Sequence, residues 1–452
     1  MIELFKQAFP YLLLLFFLVR GFRNPIYFLG ISFLMFMSES IFFETVKIFQ
    51  VPGRILPALK LIWMVIFWIL PFLFYLYVGK EIKRRAQTIG TLDYLVIFLM
   101  IVTTIGLITA LIDYPVVKGV VMEFFVLLSL FIGYFIIRDW SFSCRLEVLK
   151  GFLFSIVVIN TISALFYILH QGAGLAIYDI EEYIEEVFGG EMITRSFWFM
   201  PQFLFFSLAY LLVFRSDRPV FYTLMLIVNL GAIFITYSRS TLLVAFFLII
   251  IYFVILGIRE NKMETVLKNI FIYSIIGIMS IFVIVKIFPT NAKYFKDRFA
   301  ELTEDRSPFQ INSLQYRFER TIGVIEDIDI NRIVFGMGPV TEEQEPDVPL
   351  VKSITSDLVW TGVAYRWGLI GFLLFILLYI YSFIKSFKVF MNNTGLMSNL
   401  AFMLMIVIIS QVLEGITSWT FLSGHGYATG LWYFALVAVL DDKATQMSNQ
   451  SK

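Results

Sequence analysis

The sequence contains one cysteine and two histidines among 452 residues. A single cysteine excludes an internal disulfide framework and a cysteine-cluster metal site. His170 and His425 are too few and too far apart to form a metal site, so we expect neither metal nor cofactor. Charge is also scarce and balanced, with 35 basic and 34 acidic residues. Because binding to nucleic acid relies on excess basic charge, we do not expect it here.

Motifs of soluble enzymes are missing too. The chain has no Walker loop, no H-E-x-x-H and no G-x-S-x-G. Gly336-Met337-Gly338 lacks the third glycine and the strand-to-helix context of a dinucleotide-binding loop. These absences argue against a nucleotide-dependent soluble enzyme.

Apolar residues dominate what is present. Hydrophobic residues make up 59% of the chain and charged residues 15%, whereas soluble domains carry about 25% charged residues. Twelve of thirteen apolar runs are long enough to span a bilayer; the first is short. Because lipid offers no partner to backbone polar groups, the runs should be helices. The sequence therefore predicts an all-α, polytopic membrane protein with about twelve transmembrane helices. The runs are Ala8–Val19, Ile26–Phe43, Leu61–Val78, Leu92–Ile112, Pro115–Ile137, Leu149–Leu169, Phe197–Phe214, Val220–Tyr237, Thr241–Leu256, Ile270–Phe288, Leu358–Ile384, Leu400–Ile416 and Gly430–Leu440 together with the turn before it.

Lysine and arginine cluster in alternate loops, which the positive-inside rule places in the cytoplasm. The other loops are then external, and two are long: Gly172–Ser196, with six acidic residues, and Pro289–Ser356. The second has helical apolar spacing over Asn291–Leu302 and Ser313–Ile328, so we expect it to be ordered. The predicted divisions are transmembrane helices over 1–288, an extracytoplasmic loop domain over 289–357, transmembrane helices over 358–441 and a cytoplasmic tail over 442–452.

Arginines on the predicted outer face are the first candidates for function. Arg239 lies between two apolar runs with almost no loop between them, so it is either a functional cation or a snorkelling anchor. Arg317 lies on a loop helix that also contains Arg320, and the alternative to function is a solvated charge paired with a glutamate. Arg195 precedes a predicted re-entry into the bilayer, where it could equally be an interfacial anchor.

The order of these features resembles the O-antigen ligase and polymerase superfamily. The matching features are Arg195 before Pro201-Gln202, Ser238-Arg239-Ser240 at a helix turn, a long external loop with Arg317 and Gly336-x-Gly338, and Asp357 eleven residues before Gly368-Leu369-Ile370-Gly371. The resemblance implies a membrane glycosyltransferase fold of the GT-C type, a donor linked to undecaprenyl pyrophosphate, and an external active site. It also implies inversion at the anomeric carbon.

The resemblance implies that Arg239 and Arg317 are catalytic residues and ligands of the donor pyrophosphate. Arg195 and Arg320 are further substrate-binding residues. Guanidinium groups bind phosphate oxygens bidentately, and fixed cations could replace the metal that many transferases need. Glu414, a carboxylate inside an apolar run, is either a wall of the substrate site or a packing contact.

The residue at position 357 helps to distinguish polymerases from ligases within the superfamily. Ligases resemble one another in a His-Asn pair at this position, whereas this chain has Thr355-Ser356-Asp357-Leu358. An aspartate can act as general base on an acceptor hydroxyl, and it can equally cap the helix that follows. The missing histidine favours a polymerase over a ligase.

The sequence thus predicts an enzyme of the bacterial inner membrane that polymerises lipid-linked oligosaccharide repeats of a surface polysaccharide. Its expected partners are the lipid-linked donor and acceptor, the bilayer and a chain-length regulator. One alternative is a ligase that transfers the finished polysaccharide to another acceptor. A more distant alternative, a lipid transporter or flippase, should show internal repeats and broken polar helices, and no clear repeat is visible.

Overall fold

A computed structural model describes ten ranges of the chain and a few single positions between residues 264 and 271. The ranges are 2–30, 89–113, 117–169, 184–188, 191–195, 201–235, 239–261, 333–338, 359–417 and 426–450. The chain forms two compact units. Unit 1 contains residues 1–163 and 324–452, and unit 2 contains residues 164–323.

Helices dominate the described residues. They are α1 (Ile2–Arg23), α2 (Thr91–Asp113), α3 (Val117–Ser143), α4 (Leu146–Tyr167), α5 (Pro201–Val213), α6 (Pro219–Ile235), α7 (Arg239–Glu260), α8 (Val359–Asn392), α9 (Gly395–Thr417) and α10 (Gly426–Gln450). Two single 3₁₀ turns cover Pro25–Tyr27 and Arg215–Asp217. One antiparallel hairpin, β1 (Ile184–Phe188) and β2 (Glu191–Arg195), lies within the acidic loop that was predicted from Gly172 to Ser196.

Five of the described helices contain a segment long and apolar enough to cross a membrane. These segments are Thr91–Ile112, Leu146–Tyr167, Thr241–Glu260, Gly362–Asn392 and Gly395–Gly415. Each overlaps a run predicted from sequence, which confirms a multi-pass helical membrane protein. The total of about twelve spans stays a prediction, since the run 61–78 and most of the runs 26–43 and 270–288 lie outside the described residues. So does most of the predicted loop domain.

Helix α8 is the centre of unit 1. It packs against α2, α9 and α10, and α3 packs against α2 and α10. One stripe of α8 stays exposed, namely Leu369, Leu373, Leu377, Ile380 and Ile384. The spacing of three or four residues puts these side chains on one helix face, which would meet lipid in a bilayer.

Several helices continue past the apolar runs that predicted them, three of them by six residues or more. Helix α3 extends beyond Ile137 to Ser143, α8 extends beyond Ile384 to Asn392, and α10 continues through the predicted tail to Gln450. Intrahelical hydrogen bonds form as readily in polar sequence as in apolar sequence, so an apolar run marks the buried part of a helix rather than its end.

In unit 2, α5 packs against α6 and α7. Its side chains from Leu204 to Leu212 are buried. The hairpin register pairs Ile184 with Arg195 and Phe188 with Glu191. Arg195 therefore ends the hairpin six residues before α5 begins.

Candidate active site

The ends of the helices in unit 1 differ in charge. Eight cations with described side chains lie at one end: Arg20, Arg23, Arg138, Arg145, Lys150, Lys385, Lys388 and Lys443. Contacts between Phe28 and Trp140, and between Tyr27 and Phe152, bring the end of α1 to this same end of the unit. By the positive-inside rule, this end is predicted to lie in the cytoplasm.

A buried ionic cluster ties four helices together at that end. Arg138 on α3 binds Asp93 on α2 at 2.5 Å and Asp442 on α10 at 2.8 Å. Asp93 also accepts hydrogen bonds from the Tyr134 hydroxyl (3.0 Å) and the Gly90 N–H (2.6 Å). A second pair, Lys385 to Asp441 at 2.7 Å, joins α8 to α10. Removing one partner from a buried pair typically costs about 3–5 kcal/mol. That range applies to Arg138 and Asp93, which are buried and join α2 to α3, whereas the pairs that join α10 are partly exposed and contribute less.

The opposite end of unit 1 contains a short loop, Ile333–Gly338, which we call the docked turn. Helix α8 breaks at Gly368, whose φ is 62° and ψ −167°. At an unbroken position the N–H groups of Leu369 and Ile370 would bond to residues 365 and 366. Instead they donate to the carbonyls of Ile333 (2.8 Å) and Val334 (3.2 Å).

The exchange is reciprocal. The carbonyls of Tyr365 and Arg366, left without helical donors, accept hydrogen bonds from Met337 N–H (2.8 Å) and Gly338 N–H (3.0 Å). The two hydrogen bonds that α8 loses are thus replaced by four to the docked turn. Non-helical backbone inside a membrane is tolerated only when its polar groups are satisfied by protein, and this arrangement meets that condition.

Glycine is required on both sides of this contact. A Cβ on Gly336 would overlap the backbone of Gly368 and Arg366, and a Cβ on Gly368 would overlap the backbone of Gly336 and Val334. A Cβ on Gly338 would overlap the carbonyl of Gly106 on α2. Gly336, Gly338 and Gly368 all have positive φ, which side chains disfavour. The predicted Gly336-x-Gly338 motif therefore packs the loop against two helices.

Alanine at Gly338 should destabilise the protein by about 2–5 kcal/mol, the sum of backbone strain and an overlap with fixed backbone. Gly395 supplies a matched control, because it has a φ of 63° but open space around its Cα. Gly395→Ala should cost only about 1–2 kcal/mol. Thermal unfolding in lipid nanodiscs measures both. Equal losses would show that the close approach to Gly106 contributes nothing.

The predicted catalytic residues lie in different parts of the chain. Arg239 is the first residue of α7. Tyr252, further along α7, interacts electrostatically with Arg215, and Arg259 is in the last turn of the helix. In unit 2, Arg239 is therefore at the helix end away from these basic residues. Arg195 ends β2. Arg317, Arg320 and Asp357 lie outside the described residues, and their roles stay predictions.

Glu414 is buried within α9. It interacts electrostatically with Tyr379 on α8 and Tyr433 on α10, and the Tyr379 ring packs on Phe434 at 5.1 Å. Gln411, one turn earlier, is also buried. These neighbours favour Glu414 as a contact between packed helices. Its role in substrate binding stays a prediction.

Two buried arginines are not among the residues predicted from sequence. Arg138 directly follows the apolar run Pro115–Ile137, a position that indicates a loop charge. Arg366 lies inside the run Leu358–Ile384, and a cation within an apolar run is itself a signal of function. It is 9% exposed and lies two residues before the break in α8.

In the described part of the chain, no group of three or more histidine, cysteine, aspartate or glutamate side chains could hold a metal ion. Metal independence stays a prediction, because Asp357 and most of the acidic loop residues lie outside that part.

Comparison with known proteins concerns the second half of the chain. Residues 224–376 match the model of a family named Wzy_C and described as O-Antigen ligase. The match runs from α6 to α8 and contains Arg239, Arg317, Arg320, Asp357 and the docked turn, but neither Arg195 nor Glu414. No curated protein matches the chain. The match over residues 224–376, about a third of the chain, supports the O-antigen polymerase and ligase superfamily that the order of motifs predicted.

Proposed function

We propose that this protein is a membrane glycosyltransferase that polymerises lipid-linked oligosaccharide repeats of a surface polysaccharide. The observation that carries the proposal is the family match over residues 224–376, since it spans Arg239, Arg317 and Asp357 in one segment. The substrate is an oligosaccharide on undecaprenyl pyrophosphate. The site faces the outside of the bacterial inner membrane.

The proposed chemistry is direct displacement at the anomeric carbon. As the glycosidic bond to pyrophosphate breaks, negative charge develops on the leaving oxygen. Arg239 and Arg317 hold that pyrophosphate and stabilise the charge, which makes a metal ion unnecessary. Asp357 accepts the proton of the attacking acceptor hydroxyl. Inversion of the anomeric carbon follows from a single displacement.

Polymerase and ligase differ in the acceptor. The family description names a ligase, which keeps that activity as the second candidate. The sequence Thr355-Ser356-Asp357-Leu358, without a histidine, favours the polymerase.

Product analysis tests the proposal. The purified protein in nanodiscs, given lipid-linked single repeats, should produce a ladder of longer chains still attached to the lipid carrier. A protein that makes no ladder, but transfers preformed chains to a second acceptor, is a ligase.

The orientation of the loop domain is a separate prediction. A cysteine at Thr341, in a background with Cys144→Ser, should react with an impermeant maleimide from outside the cell. Even without that substitution, Cys144 should react slowly with the maleimide, because burial raises the pKa of its thiol to about 11. A control cysteine at Asn449, exposed near the end of α10, should react only after permeabilisation. The reverse pattern would invert the topology and contradict an external site.

A further inference from the structure

Arg366 is an exception among the cations of unit 1 whose side chains are described. Every other cation with a described side chain in this unit lies at the end that contains the ionic cluster. Arg366 lies near the beginning of α8, at the end that contains the docked turn. It is also buried, whereas an arginine that only anchors a helix end extends to the interface. A buried cation inside a membrane helix commonly marks a substrate path.

The backbone of Arg366 is fixed from two directions. Its carbonyl accepts the Gly338 N–H, and the next residue, Trp367, donates its indole N–H to Thr103 on α2 at 2.9 Å. The Trp367 ring is buried and lies 5.1 Å from that of Phe375. Binding groups work best when surrounding contacts fix them beforehand. The break in α8 and the docked turn fix the backbone of Arg366 before any ligand binds.

The surface beside Arg366 is apolar. Ile333, Val334 and Phe335 in the docked turn are 46%, 40% and 37% exposed. Leu369, whose N–H donates to the Ile333 carbonyl, is the first residue of the exposed stripe of α8. The exposed residues of the docked turn therefore adjoin that stripe. An exposed apolar surface next to a buried cation matches a molecule with a hydrocarbon tail and an anionic head.

We propose that Arg366 is a further substrate-binding residue, whose guanidinium binds the pyrophosphate of a lipid-linked substrate while the polyprenyl tail lies along the docked turn and α8. The inference rests on the proposed function for the identity of that lipid. Guanidinium suits this role because its planar N–H groups match two phosphate oxygens at once. The donor and the acceptor both carry such a group.

Binding of undecaprenyl diphosphate to the full chain in nanodiscs tests the inference without turnover. Arg366→Gln should weaken binding by about 10- to 100-fold, the usual effect of losing hydrogen bonds to a charged group. Arg366→Lys should restore less than half of that loss, since an ammonium cannot form the fork. Arg138→Gln is the matched control, because Arg138 is also a buried arginine of unit 1. It should lower the melting temperature and leave the Kd unchanged.

Kinetics then identify which lipid is bound. The preformed chain is held at a saturating concentration while the single repeat is varied, and then the single repeat is held saturating while the chain is varied. Arg366→Lys should raise the KM for one of these two substrates by about tenfold and leave kcat within about threefold. If Arg366→Gln does not fold, Arg366→Lys alone decides. A Kd equal to wild type in the folded variant overturns the inference, as does a lower melting temperature without a change in Kd.

Failure of the proposed function looks different. A wild-type protein that binds undecaprenyl diphosphate but makes no ladder removes the polymerase and leaves the role of Arg366 standing. If both Arg366 variants form the ladder with the KM of the wild type, Arg366 has no role in substrate binding. The proposed function is then unaffected.

Discussion

Asp357→Asn should lower turnover by about 10²- to 10⁴-fold, the usual contribution of a general base. Asparagine has nearly the same size and caps a helix about as well as aspartate, so the variant should keep its melting temperature. It cannot accept the proton from the acceptor hydroxyl at neutral pH. Ladder formation from lipid-linked repeats measures the loss, and binding of undecaprenyl diphosphate should persist.

The control for this substitution is Asp347→Asn, which makes the same change of charge in the same predicted loop. It should leave turnover within about twofold, because substitutions away from a functional site usually change free energies by less than about 0.5 kcal/mol. Near wild-type turnover of Asp357→Asn would make Asp357 a helix cap only, and would remove the main argument for a polymerase.

Arg239→Ala and Arg317→Ala should each reduce elongation by at least about 100-fold, the effect of removing one donor that stabilises developing charge. Lysine at either position should rescue poorly, because a point charge cannot form the bidentate contact with phosphate. Expression and melting temperature should stay near wild type. The measurement is ladder formation at saturating substrate, with kcat and KM determined separately.

Each arginine has a control of its own. Arg259 ends the helix that Arg239 begins, some 30 Å along α7 by the helical rise. Arg306 precedes Arg317 in the same predicted loop. Alanine at Arg259 or Arg306 should leave elongation nearly unchanged. An Arg239→Ala or Arg317→Ala variant as active as these controls would exclude that arginine from the site.

Sequence periodicity predicted the helices well where burial determines them. The run Val220–Tyr237 corresponds to α6, and the run Thr241–Leu256 lies inside α7. The reason is that hydrophobic length is the dominant requirement for crossing a bilayer. Helix ends were less predictable. Arg138 continues α3, because its charge is neutralised by Asp93 and Asp442 from distant parts of the chain.

The candidate site was predicted only as a list of residues. The glycines near 336 and 368 were recognised as motifs, but their mutual contact depends on two segments some thirty residues apart. A positive φ at either one can be explained locally by a turn. Only the hydrogen bonds between the segments show that the loop replaces part of a helix.

The exchange of hydrogen bonds at Gly368 also sets an order of assembly. During synthesis residues 333–338 emerge before α8, so the strip that completes this helix exists before the helix does. If α8 kept its break at Gly368 without the docked turn, the N–H groups of Leu369 and Ile370 and the carbonyls of Tyr365 and Arg366 would lack partners, at several kcal/mol each. The broken form of α8 therefore depends on the docked turn. With the loop on the outside, as the positive-inside rule predicts, the loop must cross the membrane before this part of the bundle can be completed.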